Sequence, residues 1–409
     1  MKKNILFILF TFISMLSCQQ DIPMVSLGID NVYAIERMKA LVLHPEFPGE
    51  RYEWSMKDSK GNDSLVSTDQ DYIFLSATTG QFQIKLHIAD SQNPVDHKIN
   101  ITVWEESVAY SRYISKVYEY CPAPGQFVNE LPLYQEGDTE ETMRQKAEES
   151  ISGKNDVLVS LGGYGGYITF GFDHTVVNIP GENDFKILGN AFYAAANPNP
   201  DAPESGGSSE PGIVMVSFDR NGNGIPDDKW YELAGSEYNK PETKHHYTIT
   251  YSRPAADHIA TPEDKGTPIT DSTYIPWTAN DGTSGYIAKN SYHRQDYYPK
   301  WIQQDRISFT GTKLADNAVD ESGKGTYYVL YTYDWGYVDN HPNEKNDKIS
   351  FDIDWAVDSD GNKVHLPGID FIRVYTGVNQ QCGWLGETST ELSRAEDLHI
   401  DDSSALPNP

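Results

Sequence analysis

The run Asp219-Arg220-Asn221-Gly222-Asn223-Gly224-Ile225-Pro226-Asp227-Asp228 sets short oxygen-bearing side chains at alternate positions and then permits a sharp turn. Asp and Asn at the first, third and fifth positions of such a loop converge on one point, where a hard cation such as Ca2+ gathers about six to eight oxygens. The candidate ligands are Asp219, Asn221 and Asn223, then the Ile225 carbonyl, with Asp228 or Glu232 closing the shell. The twelfth position is Trp230 where an EF-hand needs Glu, and Ile213 to Phe218 reads as a strand where an EF-hand needs a helix. The expectation is a strand-loop calcium site with a structural role; the plainer alternative is an Asn-Gly turn without metal. A poorer copy, Asp358-Ser359-Asp360-Gly361-Asn362, is explained by a hairpin turn.

Aromatic side chains form the second set of candidates. Tyr292, His293, Tyr297, Tyr298 and Trp301 crowd one segment, and Tyr331, Tyr333, Trp335 and Tyr337 alternate in another. Tyr164 and Tyr167 flank Gly165-Gly166. Rings at a mouth stack on flat ligands while neighbouring amides orient them. The candidate ligand-binding residues are therefore Tyr164, Tyr292, His293, Tyr297, Tyr298, Trp301, Trp335 and Tyr337. Alternate rings on a strand are more often core, and the Tyr331–Tyr337 run reads that way first. Signals of catalysis are missing: there is no Gly-x-Ser-x-Gly elbow and no His-Glu-x-x-His helix. The neighbours His245 and His246 on a strand point to opposite faces. The expectation is a protein that binds and does not catalyse.

The elements that must position these residues are mostly strands. Aromatics, Gly and Pro are frequent and helical runs are scarce. Tyr52 and Trp54 alternate before a Lys60-Gly61-Asn62-Asp63 turn, Gly80 to Ile88 alternates with period two, and Ile99, Ile101 and Val103 repeat the pattern. From Ser107 onward the clearest strands are 156–161, 167–172, 185–188, 213–218, 247–251, 306–309, 327–333, 349–355 and 370–375. One helix is expected: Gly137-Asp138-Thr139 caps it, Glu140 and Glu141 suit its positive end, Gly153 closes it, and Met143, Ala147 and Ile151 form its apolar stripe. Segments 197–212 and 254–285 read as long loops. The fold class is all-β: a small immunoglobulin-like sandwich over 19–105, then a larger lectin-like or jelly-roll β-sandwich over 106–409 with one or two short helices.

The ends and the charge set the compartment. Met1-Lys2-Lys3, an apolar run from Ile5 to Leu16, and Ser17-Cys18 make a secretory signal over residues 1–18 of the kind whose Cys is lipidated, so Cys18 is the expected anchor. A plain signal peptide with an incidental Cys is the alternative. Sixty acidic against 32 basic side chains give a net charge of −28, which argues against nucleic acid and anionic lipid as partners. Cys121 and Cys382 either pair or stay as two buried thiols.

Two resemblances add to this reading. The Tyr-x-Trp strand and the Gly80 to Ile88 strand resemble PKD-like immunoglobulin-type domains, which usually act as spacers. Gly162-Gly163-Tyr164-Gly165-Gly166, Gly171-Phe172-Asp173-His174, Gly189-Asn190-Ala191-Phe192, Asp219 through Ser236, Tyr333 through Asn340, Ile369 through Gly377 and Gly386-Glu387-Thr388-Ser389-Thr390-Glu391 resemble a family of Bacteroidetes surface lipoproteins that accompany vitamin B12 uptake. The resemblance implies an outward-facing outer-membrane lipoprotein that captures cobalamin, as ligand rather than cofactor, and passes it to a TonB-dependent outer-membrane transporter. A lectin-like glycan binder or an adhesion protein without a small ligand would use the same features.

Overall fold

Period-two alternation builds the N-terminal sheet of the computed structural model, which describes residues 27–401 except 91–93, 204 and 264–266. The expected signal over residues 1–18, with Cys18, lies outside the described residues. The strands Arg51–Lys57, Gly80–Ala89 and Val95–Trp104 pair antiparallel, with Trp54 opposite Leu86 and Ile84 opposite Ile99. Asp63–Ser67 joins one edge and Val32–Glu36 the other, the latter running parallel to its neighbour. The inward set, Trp54, Ile84, Leu86, Ile88, Ile99 and Ile101, is almost wholly buried, and Leu43 and Phe74 from the two-stranded Leu41–Leu43 and Tyr72–Phe74 pair cover it. Burying each such side chain contributes about 1.5–3 kcal/mol. This small sandwich meets the larger body through Met38, Leu75 and Ala77 against Val177, Phe218 and Ile400, and through the Arg37–Glu106 ion pair.

The larger body is built on two sheets. One has six strands in the order Ala356–Val357, Trp230–Leu233, Gly212–Ser217, Phe371–Thr376, Tyr167–Gly171 and Lys116–Cys121. The other has four, Ser284–Asn290, Ile269–Ala279, Lys244–Ser252 and Arg306–Lys313. Ile168, Val214 and Val374 from the first meet Ile249, Tyr251 and Ile275 from the second in one continuous core. Four further sheets of two to four strands complete the body among the described residues, one of which carries Tyr328–Tyr331 and Ala318–Asp320. The chain is thus an all-β protein, with one α-helix among the described residues and none long and apolar enough to cross a membrane.

That helix, Glu140–Ile151, begins where the sequence caps it: the Thr139 hydroxyl accepts from the Thr142 N–H. Met143, Ala147 and Ile151 are fully buried, so the stripe at steps of four is core.

Three segments differ from the sequence reading: residues 197–212, read as a loop, contain the strand Gly206–Ser208, paired on both sides. Residues 254–285 contain the eleven-residue strand Ile269–Ala279. Its Thr, Asp, Ser and Pro content hides it, and breaks in register around Asp271 interrupt its alternation. Conversely, 349–355 keeps only Ser350–Phe351 as strand before a 3-10 turn, Ile353–Trp355, capped by the Asp352 side chain.

Candidate functional site

The Asp219 loop turns tightly on one carboxylate. Asp219 accepts from the backbone N–H groups of Gly222, Asn223 and Gly224 at 2.7, 3.2 and 2.8 Å. The Asn221 side chain reaches Asp227 and Asp228, and the Asn223 side chain reaches Asp227. Four of the expected ligands, Asp219, Asn221, Asn223 and Asp228, therefore gather in one exposed loop with Asp227 added, and this oxygen-only donor set fits a hard cation. The Ile225 carbonyl faces the Asp227 N–H at 2.8 Å. Glu232 is a correction. It lies on the Trp230–Leu233 strand, where its carboxylate takes a 2.6 Å bond from the Thr312 hydroxyl, so it closes no shell around the loop. Burial pushes the Glu232 carboxyl up to about 7.

The aromatic candidates divide by burial. Tyr297, Tyr298 and Trp301 are 0, 3 and 3% exposed and belong to the core, which corrects their reading as ligand contacts. Trp301 stacks on Tyr120 and on Tyr134. The Tyr297 hydroxyl donates to the His293 carbonyl and the Tyr298 hydroxyl to the Gln304 carbonyl, so each ring's polar end is satisfied inside. Tyr337 is buried too, its hydroxyl accepting from the Glu237 N–H, and Trp335 packs on Trp355 with ring centres 4.6 Å apart. Tyr164 is sealed in the core beside Tyr247 and Tyr375. His293 packs edge-on to Phe127, and burial lowers its pKa.

Tyr292 stands out at 65% exposed. The Asn290 side-chain oxygen accepts from the N–H groups of Tyr292 and His293 at 3.0 and 2.8 Å, and this short turn throws the Tyr292 ring outward. Its ring centre lies 5.7 Å from that of Trp384. Both rings line an open cleft of about 850 Å³, with Tyr328, Lys324 and Gln381 on the other walls. Gln381 pins its segment to the Ser284–Asn290 strand, accepting from the Ala288 N–H and donating to the Tyr286 carbonyl, both at 2.8 Å. Gly383 has φ of +50°, and a Cβ there would collide with the Tyr328 phenol, so only glycine lets the two walls meet. The sequence reading missed Trp384, Tyr328 and Gln381. The Gln380-Gln381-Cys382-Gly383-Trp384 run, with two amides, a glycine and an indole, was the signal available.

Behind this wall lies a knot of acids. Oxygens of Glu210, Asp339 and Glu391 fall within 4.8 Å of one another, the group of acidic side chains among the described residues that converges closely enough to hold a metal ion. Asp339 takes a left-handed backbone (φ 54°), and its carboxylate accepts from the N–H groups of Asn190, Ala191 and Glu391. Ser160 and Ser389 donate to Glu391. Burial pushes Glu391 up to about 7 and neighbouring Glu387 up to about 8. Cys121 and Cys382 are free thiols, raised by burial to about 11 and about 12.

These buried groups set the pH response. His174 lies between Asp173 and Asp397, 2.7 Å from each. Burial alone would lower its pKa, but the bonds to the two carboxylates outweigh it and hold the imidazole up at about 9. A histidine raised on folding stabilises fully below its unfolded value of about 6.5, and that contribution fades as pH rises through about 9. Glu232, Glu387 and Asp352, pushed up to about 7, about 8 and about 7, act in the same direction, because each keeps its proton in the dry folded site while the unfolded carboxyl has lost it, so stability falls from about pH 4 up to those values. The melting temperature should therefore fall by several degrees between pH 6 and pH 9.5, read by circular dichroism. A flat or rising profile would contradict this assignment, and His174→Gln should shrink the fall.

No family model matches the chain, and no curated protein matches it. Among solved structures, a quinonprotein alcohol dehydrogenase-like protein from Bacteroides thetaiotaomicron is 12% identical over 24% of this chain and 22% of its own, with a TM-score of 0.18. The chain thus spans about a fifth of that protein's length. A SusE-like protein is 8% identical over 89% of this chain and 95% of its own, with a TM-score of 0.23. Superpositions this loose carry neither fold nor function across.

Proposed function

We propose that this chain is an exported protein, anchored by lipid on Cys18 at the outer membrane and facing outward, that captures a broad ring-bearing nutrient without chemical change. The observation that carries the reading is the Tyr292–Trp384 pair, one ring exposed and one half-buried, on the wall of the 850 Å³ cleft. Two rings 5.7 Å apart offer apolar area at low ordering cost, and the adjoining Gln381 segment is already fixed by hydrogen bonds. The sequence resemblance makes cobalamin the nutrient and a TonB-dependent outer-membrane transporter its recipient. Cobalamin suits such a cleft, being rigid, apolar at its edges and fringed with amides. The same rings support a second reading, a lectin-like glycan site. Calorimetric titration of the mature chain with cyanocobalamin and with a glycan panel separates the two. Nanomolar heat with cobalamin supports the first; heat with glycans alone supports the second and overturns the first.

The Asp219 loop is proposed as a structural calcium site. Ligand binding to the native state alone raises stability by about 2.7 kcal/mol at a hundredfold excess over Kd. Adding chelator to calcium-loaded protein should therefore lower the melting temperature by several degrees, and Asp219→Ala should abolish the difference. An unchanged melting temperature on chelation would sink the calcium assignment.

A further inference from the structure

A second, smaller space of about 240 Å³ lies on the other side of Gln381 from the cleft, walled by Tyr164, Tyr251, Trp277, Asn379, Glu387 and Thr388. Most polar side chains around it are spent. Gln381 holds Ala288 and Tyr286, Gln380 bonds Asn317 and Ala318, and the Tyr251 hydroxyl donates to the Tyr164 carbonyl. Two are not. Glu387 and Thr388 are 4 and 3% exposed, yet Glu387 Oε2 and Thr388 Oγ1 have no hydrogen-bond partner. Glu387 Oε1 is held by the Gln126 N–H at 2.8 Å, which fixes the carboxylate in place and leaves its second oxygen unused. Buried polar atoms without partners are rare and costly, most of all on a carboxylate.

The surroundings specify the missing partner. Among the described residues no Lys, Arg or His lines the cavity. Glu391 and Glu210 stand near Glu387, and burial keeps protons on these carboxyls, so the field favours a cation once they ionise and ethanolamine affinity should rise as pH passes about 8. A bare metal ion is a poor match: one carboxylate and one hydroxyl fall short of the six or more oxygens calcium takes, and Glu387 is not among the converging carboxylates. A primary ammonium carries three N–H donors and needs few partners. The volume, room for about eight waters at ~30 Å³ each, holds such a group with a few carbons attached.

We propose that this cavity binds the primary ammonium group of a small organic cation, which donates to Glu387 Oε2 and Thr388 Oγ1. The site stands apart from the cleft and does not depend on the cleft's ligand. The test is saturation-transfer NMR and titration of the mature chain with ethanolamine, tetramethylammonium and calcium chloride. Ethanolamine should bind, and tetramethylammonium, which has no N–H donor, about 10-fold or more weaker. Glu387→Gln should lose about 10-fold or more of the ethanolamine affinity, as expected for a charged hydrogen bond. Tyr292→Ala should retain it. If Glu387→Gln fails to fold by circular dichroism, Thr388→Val takes its place, with a smaller loss expected. Absence of ethanolamine binding, equal affinity for both cations, unchanged affinity in the variant that folds, or displacement by calcium would each overturn the proposal.

Discussion

Trp301→Ala should cost about 3–5 kcal/mol of stability, the usual range for removing a large buried ring, and lower the melting temperature steeply. Trp301 is 3% exposed and lies against Tyr120 and Tyr134, with ring centres 5.9 and 6.1 Å away. The Tyr120 hydroxyl in turn donates to the Ser160 carbonyl at 2.8 Å, next to the strand that leads into the acid knot. Removing the indole therefore empties a contact that joins the Lys116–Cys121 strand to the segment after Tyr297. Domains are stable by only about 5–15 kcal/mol, so this one change consumes a large part of the margin. Tyr292→Ala, nine residues earlier in the same aromatic-rich segment, should change stability by under about 0.5 kcal/mol, as exposed positions do. Chemical denaturation of both variants checks the contrast. Equal midpoints would mean that Trp301 faces a ligand after all.

That contrast shows where the sequence was legible and where it was not. Trp54, Ile84 and Leu86 announce their burial because each alternates with polar neighbours on a regular strand. Met143, Ala147 and Ile151 do the same for the helix at steps of four. Tyr292, Tyr297, Tyr298 and Trp301 sit in an irregular stretch with no period, so residue type says nothing about direction; Asn290, by capping a turn, sends Tyr292 out while the next three rings turn in. Glu387 and Glu391 mislead in the opposite sense. Nothing local in the Gly-Glu-Thr-Ser-Thr-Glu run marks a core, yet both carboxylates are buried, because the Gln126 N–H and the Ser160 hydroxyl from distant segments meet them. No local pattern encodes a partner 231 residues away, as Ser160 is for Glu391. The Asp219 loop is the reverse case: its oxygen-bearing side chains are all local, so spacing alone gathered Asp219, Asn221 and Asn223, while Glu232, one strand away, could not be placed by counting.

The second large effect belongs to the cleft. The double variant Tyr292→Ala with Trp384→Ala should weaken binding of cyanocobalamin by roughly 30-fold or more, since a pair of aromatic anchors commonly supplies about 2–4 kcal/mol. Each ring contributes contact area, and the two rings, in contact with centres 5.7 Å apart, are held by the segments that carry them. Asn290 holds the turn under Tyr292, and the Gly383–Tyr328 contact holds the segment under Trp384. The loss should fall on dissociation more than association, because the cleft is formed before the ligand arrives. Fold and melting temperature should stay close to those of the parent, since Tyr292 is exposed and Trp384 half-buried. Gln381→Ala probes the support separately. It removes the bonds to Ala288 and Tyr286, frees the segment that carries Trp384, and should weaken binding less than the double variant while raising the ordering cost. Titration of all three against cyanocobalamin reads the order directly. A double variant that binds as tightly as the parent would remove the ligand from this cleft.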